Sequence, residues 1–164
     1  MQCSSLQAVF LPCNMKLNKV EIYAFCLNFL DQKIADLKSQ IDQVNEAASG
    51  ETKSSAGDKH ETARAMMHIE RDNLSRQLLE NMKLKTELGL VKPEVACAQI
   101  SMGALVDTNN GVFFLATSIG KVELKGESCY VLSKDSPIAK AMWAKQADDE
   151  VDFRAIKYKI KAVY

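Results

Sequence analysis

The stretch KLNKVEIYAFCLNFLDQKIADLKSQIDQV, residues 16–44, sets its apolar side chains on a strict seven-residue repeat. Val20, Leu27, Ile34 and Ile41 occupy one position of the repeat, and Tyr23, Leu30, Leu37 and Val44 the other. Apolar residues alternately three and four apart fall on one stripe of a helix, and an unbroken run of this kind predicts a coiled-coil helix. Lys19, Asp31, Lys33, Asp36, Lys38, Gln40 and Asp42 lie between these positions and read as a solvated face.

Further along, the repeat stops. Residues 46–59 turn polar and small, with Gly50, Ser54, Ser55 and Gly57, and read as a loop that ends the first helix. A second helical pattern runs from about Asp58 to Leu88. It carries Ala63, Met67, Leu74, Leu78, Met82 and Leu88 roughly on one side, with Asn81 and Lys85 weakening its seam. Two helices of similar length joined by a short loop pack as an antiparallel hairpin. At 1.5 Å per residue, about 30 residues give an arm on the order of 45 Å long. Gly89, as a C-terminal cap, and Pro93 shortly after it mark the end of the second helix.

Beyond that boundary the period changes to two. Residues 100–108, 112–118, 122–124 and 128–133 read as strands, with Asn109-Asn110-Gly111 as a hairpin turn. Ser136-Pro137 opens a short helix to about Lys145, with Ser as cap and Pro at the first helical position. Strands at 150–153 and 156–163 follow. The chain therefore reads as α+β. Residues 1–14 form a loose extension, 15–90 a coiled-coil hairpin with an acidic tip loop at 46–61, and 95–164 a small antiparallel β domain with one short helix.

Composition narrows the function. The 164 residues leave room for one small domain plus an extended element but not for a large catalytic fold. Lysine and arginine balance aspartate and glutamate at 21 each, so the chain lacks the basic footprint of a protein that grips a phosphate backbone unaided. Any contact with nucleic acid is expected through a protein partner. No apolar run approaches the length of a membrane span. Leu6 to Pro12 is mildly apolar and precedes Cys13, but no basic residue stands before Lys16, so it does not read as a signal sequence, and Met15 reads as the functional start. The five cysteines are scattered and without C-x-x-C spacing, which points away from disulfides and zinc and toward a reducing cytoplasm.

Two stretches on either side of the boundary carry a resemblance. Residues 55–64, SAGDKHETAR, are similar to the G-D-x-x-E-N-A signature at the coiled-coil tip of Gre-type transcription elongation factors. Residues 136–145, SPIAKAMWAK, followed by Asp149-Glu150-Val151, resemble that family's S-P-L-G-x-A-L-L-G-K and G-D-E-V segments in its FKBP-like C-terminal domain. The resemblance runs from about Met15 to the end in the same order. Thr62 stands where the family usually has Asn, and Ala139, Ala144 and Asp148 stand where glycines are common.

That resemblance implies a cytoplasmic, monomeric factor that is not itself an enzyme. It would bind bacterial RNA polymerase through the secondary channel and touch nucleic acid only within the elongation complex. Asp58 and Glu61, as the catalytic and metal-binding residues, would share a magnesium ion with the polymerase and stimulate cleavage of backtracked transcripts. Oxygen ligands suit magnesium, which commonly takes one or two protein carboxylates. The alternative is a channel-binding regulator that inhibits polymerase without cleavage. The Asp58/Glu61 spacing also suits a plain helix N-terminus, where acidic groups satisfy free amides and the dipole, and the two roles are compatible. His60 and His68 read as solvated side chains, Lys53 and Lys59 either as contacts to nucleic acid or the polymerase rim or as solvated loop charges, and Met66, Met67 and Trp143 as packing. Cys129 has no neighbouring His to make it a nucleophile.

Overall fold

The computed structural model of the protein describes residues 17–50 and 58–164, with the side chains of residues 50 and 58–60 outside that description. The expected extension at 1–14 and the middle of the tip loop therefore lie outside the described residues. Two long helices come first, α1 (Lys19–Gly50) and α2 (Asp58–Gly89), of 32 residues each. They continue through both flanks of the expected loop, so 46–50 and 58–61 are helical. Asn18 starts α1 by accepting the Val20 amide on its side-chain oxygen at 3.0 Å, satisfying one of the helix's free donors.

The β region holds β1 (Leu105–Thr108), β2 (Gly111–Leu115), β3 (Gly120–Leu124), β4 (Glu127–Leu132), a short α3 (Pro137–Met142), β5 (Glu150–Phe153) and β6 (Ile156–Val163). They form one six-stranded sheet in the order β3-β4-β2-β1-β6-β5. All neighbours are antiparallel except β2 and β4. The β3–β4 hairpin folds back so that β4 lies against β2, and β3 serves as the crossover that a parallel pair requires. The chain is α+β, a helical hairpin followed by a mostly antiparallel sheet with a short helix.

Alternation along the strands sends side chains to two faces and makes two cores. Leu105, Phe114, Val122, Cys129 and Val131 face α1 and the end of α2, where they meet Ile22, Cys26, Leu30 and Leu88. Val106, Phe113, Leu115, Val151 and Ile160 face the other way, onto Ala139 and Met142 of α3. Ser136 caps α3 by accepting the Ala139 amide, and Pro137 takes its first position, as expected.

The seven-residue stripe does not describe the base of α1. Val20 is 45% exposed, whereas Ile22 and Cys26, off the stripe, are wholly buried. Residues 20–30 are apolar nearly all round, the pattern of a helix buried on more than one side. Here α1 packs on α2 and on the sheet at once. From Ile34 outward the stripe holds: Leu37 is buried, and Ile34, Ile41 and Val44 are half-buried. In α2 the seam passes through half-buried Asn81 and Lys85 and leaves Met82 exposed. Lys85 forms a half-exposed ion pair with Asp31 of α1, across the two helices.

Two family glycine positions have a visible cause. Ala144 and Asp148 adopt φ of 61° and 71°, in the left-handed region that favours glycine. The backbone forces this at Ala144, whose amide donates to the Ile100 carbonyl while the Lys145 carbonyl accepts the Ile100 amide. Strand pairing does not extend back to residue 100, because Gly103, at φ 86°, turns the chain under Val91.

Chemical denaturation tests these assignments. Ile22→Ala should cost about 2–5 kcal/mol as a buried cavity-forming change. Met66→Ala should stay within about 0.5 kcal/mol, since Met66 is exposed. Ala144→Gly should stabilise the fold by about 1 kcal/mol through relief of the left-handed strain.

Candidate functional site: the tip of the helical arm

Embedding of the α1 base leaves the outer hairpin clear of the body. No residue between 31 and 83 belongs to either sheet core among the described residues. From Leu30 to the end of α1 is about 30 Å at helical rise, and from Leu84 back to the start of α2 about 39 Å. The tip therefore stands roughly 30–40 Å beyond the last side chains anchored in the body.

Asp58 is the first residue of α2, and Glu61 lies one turn in, with its side chain exposed. Residues three apart on a helix share a face, with Cβ atoms about 5–6 Å apart. The backbone thus sets both acidic positions on one side of the N-terminal turn of α2. There the free amides and the positive end of the dipole favour negative charge. His60, Lys53 and Lys59 have no described side chains; His68 is exposed. Among the described residues no group of three or more His, Cys, Asp or Glu could enclose a metal ion. A carboxylate pair of this kind can supply oxygen ligands to an ion but does not surround one.

Below the tip, the helices part around an open apolar groove of about 610 Å³ lined by Val44, Ala47, Met66, Met67, Ile69 and Leu74. Met67 is half-buried there, but Met66 and Ile69 are 68% and 62% exposed, so Met66 is not the core side chain the sequence suggests. Trp143, expected as packing, is also exposed, at the C-terminal end of α3.

Lys19 is misplaced by the sequence reading. Expected on a solvated face, it is 8% exposed and donates to the Val95 carbonyl at 2.7 Å and the Tyr164 backbone oxygen at 3.2 Å. No local pattern could show this, since its acceptors lie 76 and 145 residues away.

The two buried thiols, Cys26 and Cys129, offer no nucleophile. Burial pushes the Cys26 thiol up to about 11, and burial with the neighbouring Cys26 pushes Cys129 up to about 12. A buried protonated thiol does not attack carbonyl or phosphoryl centres at neutral pH. Relative to the ordinary value of 9.0, both hold their protons more firmly in the fold than in the unfolded chain. Their contribution to stability is complete below pH 9 and is lost as pH rises through about 11 and 12. Denaturation at stepped pH should show stability falling above pH 9, by up to about 1.4 kcal/mol per unit per thiol. Cys129→Val should flatten that fall.

No family model and no curated protein matches the chain. A solved structure described as that of the transcription factor Gfh1 is similar at 12% identity and a TM-score of 0.36, over 84% of this chain and 92% of that chain.

Proposed function

We propose that this chain is a transcription elongation factor that inserts its helical arm into the secondary channel of bacterial RNA polymerase and stimulates cleavage of backtracked transcripts. The observation that carries the reading is the arm, a long two-helix projection whose far end bears Asp58 and Glu61 well clear of the body. The tip signature and the SPIAKAMWAK segment support it from the sequence.

The chemistry follows from what the tip has and lacks. Two carboxylates cannot enclose a cation alone, but they can complete the shell of one already held elsewhere, and magnesium commonly takes one or two protein carboxylates. When bound, the ion supplies a Lewis acid that lowers the pKa of the attacking water. Asp58 would be the principal ligand to that ion, and Glu61 would hold the same ion or orient the water. The positive end of the helix dipole at the start of α2 favours negative charge at these two positions. Catalytic authority stays with the polymerase, so the chain is an activator and not an enzyme. The β region remains at the channel mouth, and the factor acts as a cytoplasmic monomer.

Thr62, where the family usually has Asn, motivates a second reading, a channel-binding regulator that does not promote cleavage. Arrested elongation complexes decide between them. With the native chain, transcript 3′ fragments should accumulate. Asp58→Ala should lower cleavage on the order of a hundredfold, as loss of a preorganised charge-stabilising group does, with polymerase binding retained. Glu61→Gln should lower it on the order of tenfold. Binding without cleavage by the native chain assigns the regulator, and no binding overturns both.

A further inference from the structure

We infer that Lys19 is an orienting latch, a buried ammonium that sets the direction of the arm relative to the body. The inference stands on the chain's own geometry and goes beyond the polymerase reading.

Lys19 is the first residue of α1, so whatever holds its side chain holds the root of the arm. Its ammonium has three donors and no acceptor. Three acceptors surround it: the Val95 carbonyl at 2.7 Å, the Tyr164 backbone oxygen at 3.2 Å and the Cys97 sulfur at 3.6 Å. Val95 and Cys97 belong to the segment that joins α2 to the sheet. Tyr164 follows β6 and is paired with β1 by reciprocal backbone bonds to Leu105. One cation therefore ties the start of the first helix, the exit from the second and the middle of the sheet.

Burying the ammonium costs desolvation that its acceptors offset, and removing it alone leaves the Val95 carbonyl without that donor. What the ammonium adds is direction. The apolar contacts of Ile22, Cys26 and Leu30 are non-directional and permit the helix to roll or tilt on the sheet. Three hydrogen bonds to acceptors on separate segments do not. Among the described residues, the Glu21–Lys125 tie from α1 to the sheet region is half exposed and weakened by salt, and at the end of α2 the Thr117 hydroxyl donates to Glu87 at 3.1 Å.

The test reads geometry apart from stability. Spin labels on genetically encoded non-cysteine residues at Asp42 in the arm and Glu123 in the body report their separation by electron–electron dipolar spectroscopy. The native chain should give one narrow distance distribution. Lys19→Met should still fold cooperatively, with a lowered denaturant midpoint because the Val95 carbonyl loses its donor, while its distribution broadens about twofold, as for a root released from one packed arrangement. Lys19→Arg, which keeps the cation, should remain narrow. A narrow distribution in Lys19→Met overturns the inference. So does failure of that variant to fold, since Lys19 would then be required for folding and not for direction.

Discussion

One helix is asked to be two things, and the structure depends on how it divides the work. Over its first three turns α1 is apolar on almost every side and serves as part of the domain core, with Ile22, Cys26 and Leu30 closing one face of the sheet. Past Leu30 the same helix narrows to a single stripe and needs only α2 as partner. Each buried aliphatic side chain at the base contributes about 1.5–3 kcal/mol, which far exceeds what the half-exposed Asp31–Lys85 pair adds. The arm is thus a cantilever, with its anchorage in packing and its reach in helix length.

That division explains why the acidic tip can be chemically spare. Nothing among the described residues encloses an ion there, and burial holds the protons on the Cys26 and Cys129 thiols. Among the described residues the tip offers a helix start with two acidic positions on one face, well clear of both sheet cores. On the proposed reading, it gains a purpose when another macromolecule brings the rest of the site.

Much of this was legible because it is local. The outer part of the helix stripe, the Asn109–Gly111 turn and the Ser136-Pro137 cap each depend on residues within a few positions of one another, and the structure places each where the sequence put it. What was not legible depends on distant partners. The burial of Lys19 rests on Val95, Cys97 and Tyr164. The shift of the seam to Ile22 and Cys26 rests on a sheet formed more than seventy residues later, although the all-round apolar stretch at 20–30 is a signal that a single-stripe reading passes over. Met66 and Trp143 misled for the opposite reason, since apolar character does not reveal whether a partner is present within the same chain. At the tip, the sequence gives the identity of the carboxylates, and the backbone adds their place and common face, while the Asp58 side chain lies outside the described residues.

The claim most exposed to test is that Glu61 comes to rest beside the catalytic centre of RNA polymerase. An iron chelate tethered at position 61 generates hydroxyl radicals that cut protein and nucleic acid within a short radius. Bound to a backtracked elongation complex, it should cut the polymerase segments that hold the catalytic magnesium and the displaced RNA 3′ end. Cuts confined to the outer surface of the polymerase, or spread without pattern, would contradict the account.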